Sequence, residues 1–300
     1  MAPLKQHAII DENCGTLKYN FSNMHSEHLS FQHQEGTVDG LYISNKPDEP
    51  LVIIINGHNG FYNYGMFPHI QKSLAKNGVS SYSFNFSHGG VTGDGDYFDD
   101  LGKYEKNCMR LEVEDTLCVL HNLNSDKFKN HTKIFLLTHS LGGVPTIFSA
   151  SKAQEEKIKI AGIILISTVK QLNFWPEEML EEWQQNKVYY KMNNRTKQML
   201  PQGEEFLAEV MESDTKWNVE KEIKKLRQPF LIIHGENDEA VPAENSQSQF
   251  EWIKNNSEKS SLKIIPAATH TFNTKHPFEG PTPQLEEMIH EVVGFVKSFP

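Results

Sequence analysis

Short apolar runs alternate with stretches of helical periodicity along most of the chain. The clearest buried strand is Leu51–Ile55, an unbroken apolar run. Runs of this kind are typical of parallel strands that are covered on both faces. Apolar positions at helical spacing predict one long helix over residues 104–123. Further strands are predicted at 79–86, 134–138, 160–167, 230–234 and 262–265, and further helices at 68–77, 141–153 and 283–299.

The first fifty residues have a different pattern, which predicts two neighbouring strands. Residues 29–31 and 38–43 are strand-like, and they flank the turn-like sequence Gln34-Glu35-Gly36. The rest of the chain repeats strand and helix units. Such alternation predicts an α/β fold in which helices cover both faces of a mostly parallel sheet.

Residues 169–227 interrupt this alternation, because they show no strand pattern and are rich in aromatic residues. A long insertion between two sheet strands predicts a helical cap over the site end of the sheet. The core is then formed by residues 1–168 and 228–300. Trp175 and Trp183 are candidate substrate contacts, and packing of the insertion against the core is the alternative role for its aromatic residues.

Composition narrows the class of partner. The formal charge of −10 argues against nucleic acid or an anionic membrane surface as the main partner. No apolar run approaches the ~18 residues that span a bilayer, and residues 1–10 lack a secretory signal pattern. Cys14, Cys108 and Cys118 show no metal-ligand spacing, so we expect free thiols and a cytoplasmic protein. The expected partner is a small-molecule substrate. The pattern gives no oligomeric state.

The strongest chemical signal follows the predicted strand 134–138. There the sequence reads Thr138-His139-Ser140-Leu141-Gly142-Gly143. A serine on a tight strand-to-helix turn has an exposed hydroxyl, and the backbone N–H groups of the next helix point toward a developing oxyanion. Serine is a weak nucleophile without a base and an orienting acid. Ser140 is therefore the candidate nucleophile, and its partners must be sought downstream.

Two strand ends supply those partners. Asp238 follows the buried strand 230–234, and His270 follows the strand 262–265. Because functional groups collect at the carboxyl edge of a parallel sheet, we expect His270 as the base and Asp238 as the residue that orients it. Glu236 and Glu239 compete with Asp238, and His276 competes with His270.

The sequence also offers donors for a developing negative charge. The glycine-rich turn Asn56-Gly57-His58-Asn59-Gly60 follows the strand Leu51–Ile55. We expect the backbone N–H groups of His58 and Leu141 to form an oxyanion site. Asn59 and His139 are further candidates for the substrate pocket, because they adjoin these positions.

The chain resembles the α/β-hydrolase superfamily, in particular its esterase, acyl-hydrolase and dienelactone-hydrolase-like members. The features that carry the resemblance are the turn at 56–60 and the order Ser140, Asp238, His270 along the chain. The resemblance extends from residue 51 to the C-terminus. It implies an eight-stranded sheet, a helical cap, no cofactor and no metal, and it implies hydrolysis of a carboxylic ester through an acyl-enzyme.

The chain departs from the pattern of this superfamily at two positions. Thr138 stands where the serine turn usually has glycine, and Asn56 stands where the oxyanion turn usually begins with histidine. Neither change removes a proposed reacting group. A thioesterase or a small peptidase remains possible on the same three residues, although no large β-rich region precedes the hydrolase part. A non-catalytic ligand-binding protein is the alternative from another class. The aspartate-rich loop 93–100 is expected to be a solvated loop rather than a metal site.

Overall fold

A computed structural model describes residues 9–10, 17–18, 24–46 and 48–299. Its centre is an eight-stranded sheet of order β12-β11-β8-β7-β5-β6-β4-β3. The eight strands are β3 His25–Gln32, β4 Thr37–Ser44, β5 Leu51–Ile55, β6 Ser80–Asn85, β7 Ile134–His139, β8 Gly162–Ile166, β11 Phe230–Gly235 and β12 Ser261–Ile265. β4 runs antiparallel to both of its neighbours, and the other pairs are parallel. The predicted mostly parallel eight-stranded sheet is confirmed.

The described chain also has two small antiparallel pairs, β1 Ile9–Ile10 with β2 Leu17–Lys18 and β9 Val188–Asn193 with β10 Gln198–Gly203. Two short 3-10 turns lie at Asn122–Asn124 and Ser140–Gly142. The α-helices are α1 Phe67–Lys76, α2 Leu101–Lys106, α3 Met109–His121, α4 Gly143–Glu155, α5 Glu177–Asn186, α6 Glu204–Met211, α7 Val219–Ile223, α8 Glu244–Ile253 and α9 Pro283–Lys297.

Helices cover both faces of the sheet, which explains the unbroken apolar runs of its central strands. In β5, Val52 and Ile54 pack into one cluster with α1 and α9, while Ile53 packs into another with α3 and α4. All residues of β5 are fully buried. Alternate side chains point to opposite faces of a strand, so a strand covered on both sides has no polar face.

The single helix predicted over 104–123 is wrong, because the structure has two helices there. Asn107 and Cys108 are extended and separate α2 from α3. The carboxylate of Glu209 accepts hydrogen bonds from the backbone N–H groups of Met109 (2.5 Å) and Arg110 (3.0 Å). It satisfies donors that a helix start leaves unpaired. Since Glu209 lies 99 residues or more away along the chain, local periodicity could not reveal this break.

The expectation that residues 169–227 are purely helical is also wrong. The region contains α5, α6 and α7, but β9 and β10 form an antiparallel hairpin between α5 and α6. Trp183 of α5 is fully buried and stacks on Phe206 of α6 with ring centroids 6.0 Å apart. Both belong to the same apolar cluster as α3 and α4, so the insertion shares the main core.

The expected free thiols are confirmed for Cys108 and Cys118, which are buried and unpaired. Cys14 and most of the first 23 residues lie outside the described ranges. Within those ranges, no helix combines the length and the apolar character needed to cross a membrane.

Candidate active site

Ser140 lies at the point where β7 ends and the 3-10 turn leading into α4 begins. Its φ of +57° is in the left-handed region, which few residues other than glycine adopt. A strained backbone of this kind requires strong support from its surroundings. The support includes Gly142, where a Cβ would lie 2.3 Å from the carbonyl oxygen of Asn56. The strand ending at Ile55 therefore packs directly against the serine turn.

Thr138 is accommodated by the same close packing. Its side chain is fully buried, and its hydroxyl oxygen lies 2.7 Å from the position that a Cβ of residue 142 would take. A threonine fits at this crowded position because residue 142 has no side chain. The departure from glycine noted in the sequence thus leaves the geometry of the turn intact.

His270 joins Ser140 to Asp238 in a continuous chain of hydrogen bonds. Its Nε2 lies 3.0 Å from Ser140 Oγ, and its Nδ1 lies 2.8 Å from Asp238 Oδ2. Ser140 and Asp238 follow β7 and β11, and His270 follows β12, so one edge of the sheet collects all three. The structure brings together the serine, histidine and aspartate that the sequence predicted.

Asp238 is held as a carboxylate by four donors. Oδ1 accepts from the backbone N–H groups of Ala240 and Val241, and Oδ2 accepts from His270 and from His234 Nε2 at 3.1 Å. Burial by itself would raise the pKa of Asp238. The hydrogen bonds from His234 and His270 outweigh burial and hold this pKa well below its usual range.

His234 is a member of the site that the sequence did not reveal. It is fully buried, its Nε2 also donates to the carbonyl oxygen of Val241 at 2.8 Å, and its Nδ1 accepts from Ser246 at 2.6 Å. These contacts fix the tautomer that donates to Asp238. With fourteen histidines in the chain, residue type alone is a weak signal, but its position four residues before Asp238 is visible in the sequence.

The competing residues are bound elsewhere. Glu236 accepts from the backbone N–H of Ala267 at 3.0 Å, and Glu239 is exposed. His276 Nδ1 accepts from the backbone N–H of Gly65, and its ring stacks on another aromatic ring. In the described chain, Asp238 and His270 are the acid and imidazole joined to Ser140.

His139 supports the imidazole of His270 rather than the serine hydroxyl. Its Nε2–H donates to the backbone carbonyl of His270 at 2.9 Å, and the two rings lie 4.6 Å apart. Burial lowers the pKa of His139 to about 3, so the side chain is neutral at ordinary pH.

The turn at 56–60 lies against the serine. A Cβ on Gly57 would be 2.7 Å from the carbonyl oxygen of His139 and 3.0 Å from Ser140 Cβ, so only glycine allows this approach. Among the described residues, nothing accepts a hydrogen bond from the backbone N–H of His58. Leu141 is in the first turn after the strand, where backbone N–H groups lack intrahelical partners.

A cavity of about 420 Å³ opens over Ser140 and His270. Of the four residues predicted for the substrate pocket, Asn59 and His139 line this cavity, whereas Trp175 and Trp183 do not. Trp175 packs edge-on against Phe206, and Trp183 is fully buried in the core. Both tryptophans pack the insertion against the core, which is the alternative role that the sequence left open, because the large apolar surface of tryptophan fills a core well.

The part of the cavity wall that the hairpin forms was not predicted from the sequence. The wall includes five consecutive residues of the hairpin, Lys191, Met192, Asn193, Asn194 and Arg195. The signal was present as the run Val188-Tyr189-Tyr190, whose residue types favour strands, and as the Asn193-Asn194 pair that favours a turn. The insertion therefore contributes to the site through a hairpin.

Two aspartates of loop 93–100 have local partners. Asp99 Oδ1 accepts from the backbone N–H of Thr92 at 2.9 Å, and Asp100 caps α2 by accepting from Lys103 at 3.0 Å. No group of three or more His, Cys, Asp or Glu side chains in the described ranges is placed to hold a metal ion.

The sheet order, the helices on both faces and the hydrogen-bonded serine, histidine and aspartate at its edge define an α/β hydrolase. Residues 66–277 match the family model described as the prolyl oligopeptidase family, and the chain belongs to that family. Ser140, Asp238 and His270 all fall within the matched residues, and the turn at 56–60 precedes them. None of the curated proteins compared with the chain matches it in sequence.

Solved structures share the fold along nearly the whole chain. Est1E from Butyrivibrio proteoclasticus, solved with bound ferulic acid, is 20% identical with a TM-score of 0.67, over 90% of this chain and 98% of that one. The α/β hydrolase GrgF from Penicillium sp. sh18 is 16% identical with a TM-score of 0.66, over 91% and 98%. An esterase from Pyrococcus furiosus is 17% identical with a TM-score of 0.62, over 92% and 91%. The protein is thus a hydrolase by family and fold.

Proposed function

We propose that the protein is a serine hydrolase that cleaves carboxylic esters, with Ser140 as nucleophile, His270 as general base and acid, and Asp238 as its orienting carboxylate. The continuous hydrogen-bonded chain from Ser140 Oγ through His270 to Asp238 is the observation that carries this proposal. It has the arrangement in which a neutral imidazole accepts the serine proton while a buried carboxylate stabilises the resulting imidazolium.

In the first half of the proposed reaction, Ser140 Oγ forms a bond to the ester carbonyl carbon, and its proton passes to His270 Nε2. The carbonyl oxygen then carries the negative charge, which the backbone N–H groups of His58 and Leu141 stabilise. One such donor contributes ~3 kcal/mol to the transition state. The free His58 N–H and the contact of Gly57 with Ser140 support this assignment.

In the second half, the ester C–O bond breaks and the alcohol leaves with the proton from His270. Water then attacks the acyl group on Ser140, gives its proton to His270, and releases the carboxylic acid as the serine recovers its hydrogen. No redox step or external cofactor enters this balance. Residues 169–227 act in the proposal as a cap, because their hairpin lines the cavity over Ser140.

A second candidate reaction uses the same three residues on a peptide bond. The observation in its favour is membership of a family whose description names an oligopeptidase. The bond cleaved depends on the pocket rather than on the fold. Similarity to proteins described as esterases favours the ester reaction.

The first prediction concerns turnover of simple esters. We expect the protein to hydrolyse a short p-nitrophenyl ester, and Ser140→Ala to lower kcat by at least about a thousandfold, since the covalent step is lost. Release of p-nitrophenol measures this rate. Faster cleavage of a peptide p-nitroanilide than of every ester and thioester tested would favour the peptidase reaction. Unchanged ester turnover in Ser140→Ala would contradict the proposal.

A further inference from the structure

Two cations on the cavity wall have no acidic partner in the part of the chain that the structure describes. Lys191 of β9 and Arg195 of the hairpin turn both line the cavity that contains Ser140. No carboxylate of the described residues lies within ion-pair distance of either one, and no Asp or Glu lines the cavity. In a chain with a net charge of −10, this is a local excess of positive charge.

Two other lysines near the cavity do form ion pairs with glutamates, unlike Lys191 and Arg195. Lys187, at the start of the same hairpin, lies 3.3 Å from Glu204. Lys275, on the opposite wall, lies 2.9 Å from Glu279. Acidic partners are thus available nearby, even for Lys275, which also lines the cavity, yet Lys191 and Arg195 have none among the described residues.

The hairpin turn that presents Arg195 is locally ordered. The side-chain oxygen of the buried Asn193 accepts from the backbone N–H groups of Arg195 at 3.0 Å and Thr196 at 3.2 Å. The backbone carbonyl of Asn193 accepts from Lys197 at 2.8 Å. These bonds hold the turn in one conformation, so the position of Arg195 does not depend on its side chain alone.

The guanidinium of Arg195 is also oriented by the core. Its Nη1 donates to Tyr64 Oη at 2.6 Å, and its carbon lies 5.1 Å from the centre of the Tyr64 ring. Tyr64 in turn stacks on His276 at 4.3 Å. A guanidinium has five N–H donors, and one is used here, so several remain for a ligand in the cavity.

His58 and His139 do not add to this charge. Burial, with a smaller contribution from the charge of Lys191, lowers the pKa of His58 to about 3. Burial likewise lowers the pKa of His139 to about 3, with a smaller effect from Arg195. Both imidazoles are therefore neutral near pH 7, and an anion in the cavity would meet Lys191 and Arg195.

We infer that the cavity selects esters that carry a carboxylate group, which Lys191 and Arg195 bind while Ser140 attacks the ester carbonyl. This inference rests on the proposed esterase function and narrows it to a substrate class. Arginine can bind a carboxylate through two parallel hydrogen bonds, and lysine adds a point charge.

The test compares two esters of similar size, p-nitrophenyl hydrogen glutarate, which is anionic, and p-nitrophenyl pentanoate, which is neutral. The measured quantity is the ratio of their kcat/KM values. We expect a ratio above one that falls about three- to tenfold in Lys191→Gln and in Arg195→Gln. Lys197→Gln is the matched control, because it removes the same charge from the hairpin turn at a residue outside the cavity wall.

A binding measurement separates failure of this inference from failure of the esterase proposal. Calorimetry with glutarate and the Ser140→Ala protein needs no turnover, and we expect Lys191→Gln to weaken binding by a similar factor. Glutarate binding that depends on Lys191, without hydrolysis of either ester, would leave the anion site standing and reject the esterase. Ester hydrolysis with a ratio that is unchanged by both substitutions, or that falls equally in Lys197→Gln, would overturn the anion site.

Discussion

At the scale of single residues, the site depends on a few polar contacts that fix charge and direction. Ser140, Asp238 and His270 could be predicted from the sequence, because each follows a recognisable strand and the three occur in the order that the superfamily uses. His234 could not be predicted in the same way. Its role depends on which way a buried ring faces, and that is decided by Ser246 and Val241.

His234 offers a prediction that rests on the charge of Asp238. Replacing His234 with Ala removes a donor that stabilises the Asp238 carboxylate, so the pKa of Asp238 rises. Because this carboxylate orients His270 and stabilises the imidazolium that forms in the reaction, its weaker support should slow turnover. We also expect kcat/KM to fall about tenfold at pH 7.

His234→Gln is the control, since an amide N–H can replace the imidazole donor, and it should restore part of the activity. Release of p-nitrophenol measures kcat/KM, and a melting curve checks that each variant folds. An unchanged kcat/KM in His234→Ala, or an equal fall in His234→Ala and His234→Gln, would contradict a role for His234 in holding the charge of Asp238.

At the scale of elements, the strand-to-helix turn was predictable and the hairpin was not. The turn depends on a local run of apolar and small residues, so local sequence contains its signal. The hairpin Val188–Asn193 with Gln198–Gly203 is short, and neither strand alternates regularly between buried and exposed positions, since the first is mostly exposed or half-buried and the second mostly buried. The break between α2 and α3 was missed for another reason, because Glu209 from the insertion stabilises it.

Two glycine substitutions test the packing of the serine turn. Gly142→Ala would place a Cβ 2.3 Å from the carbonyl oxygen of Asn56, so we expect a loss of at least about 2 kcal/mol in the free energy of unfolding. Gly294→Ala on α9 is the matched control, because no heavy atom lies within 4 Å of the added carbon. There alanine should stabilise by about 0.5–1 kcal/mol through its higher helix propensity.

Urea unfolding of the three proteins gives both values. Equal effects of the two substitutions would show that the turn tolerates a side chain at 142, contrary to the close approach of β5 and the serine turn. Folded Gly142→Ala protein should also hydrolyse esters more slowly, because the proposed oxyanion donor, the backbone N–H of Leu141, lies next to the substituted position.

At the scale of the whole molecule, sheet topology brings together residues that are 130 and 32 positions apart along the chain. Parallel strands place their carboxyl ends at one edge, which is why order along the sequence sufficed to predict the grouping. The same scale explains what escaped prediction. The net charge of −10 is a sum over the whole chain, so it does not reveal local charge. It therefore gave no sign that Lys191 and Arg195, which have no acidic partner among the described residues, line the cavity.

The central claim is that Ser140 is the nucleophile and His270 its base. A fluorophosphonate probe reacts with activated serines, and peptide mapping of the labelled full-length protein identifies the modified residue. We predict label on Ser140, a rate of labelling at least about a hundredfold lower in His270→Ala, and retained labelling in His276→Ala. Label on another residue, or equal labelling rates in His270→Ala and the unmodified protein, would contradict the assignment.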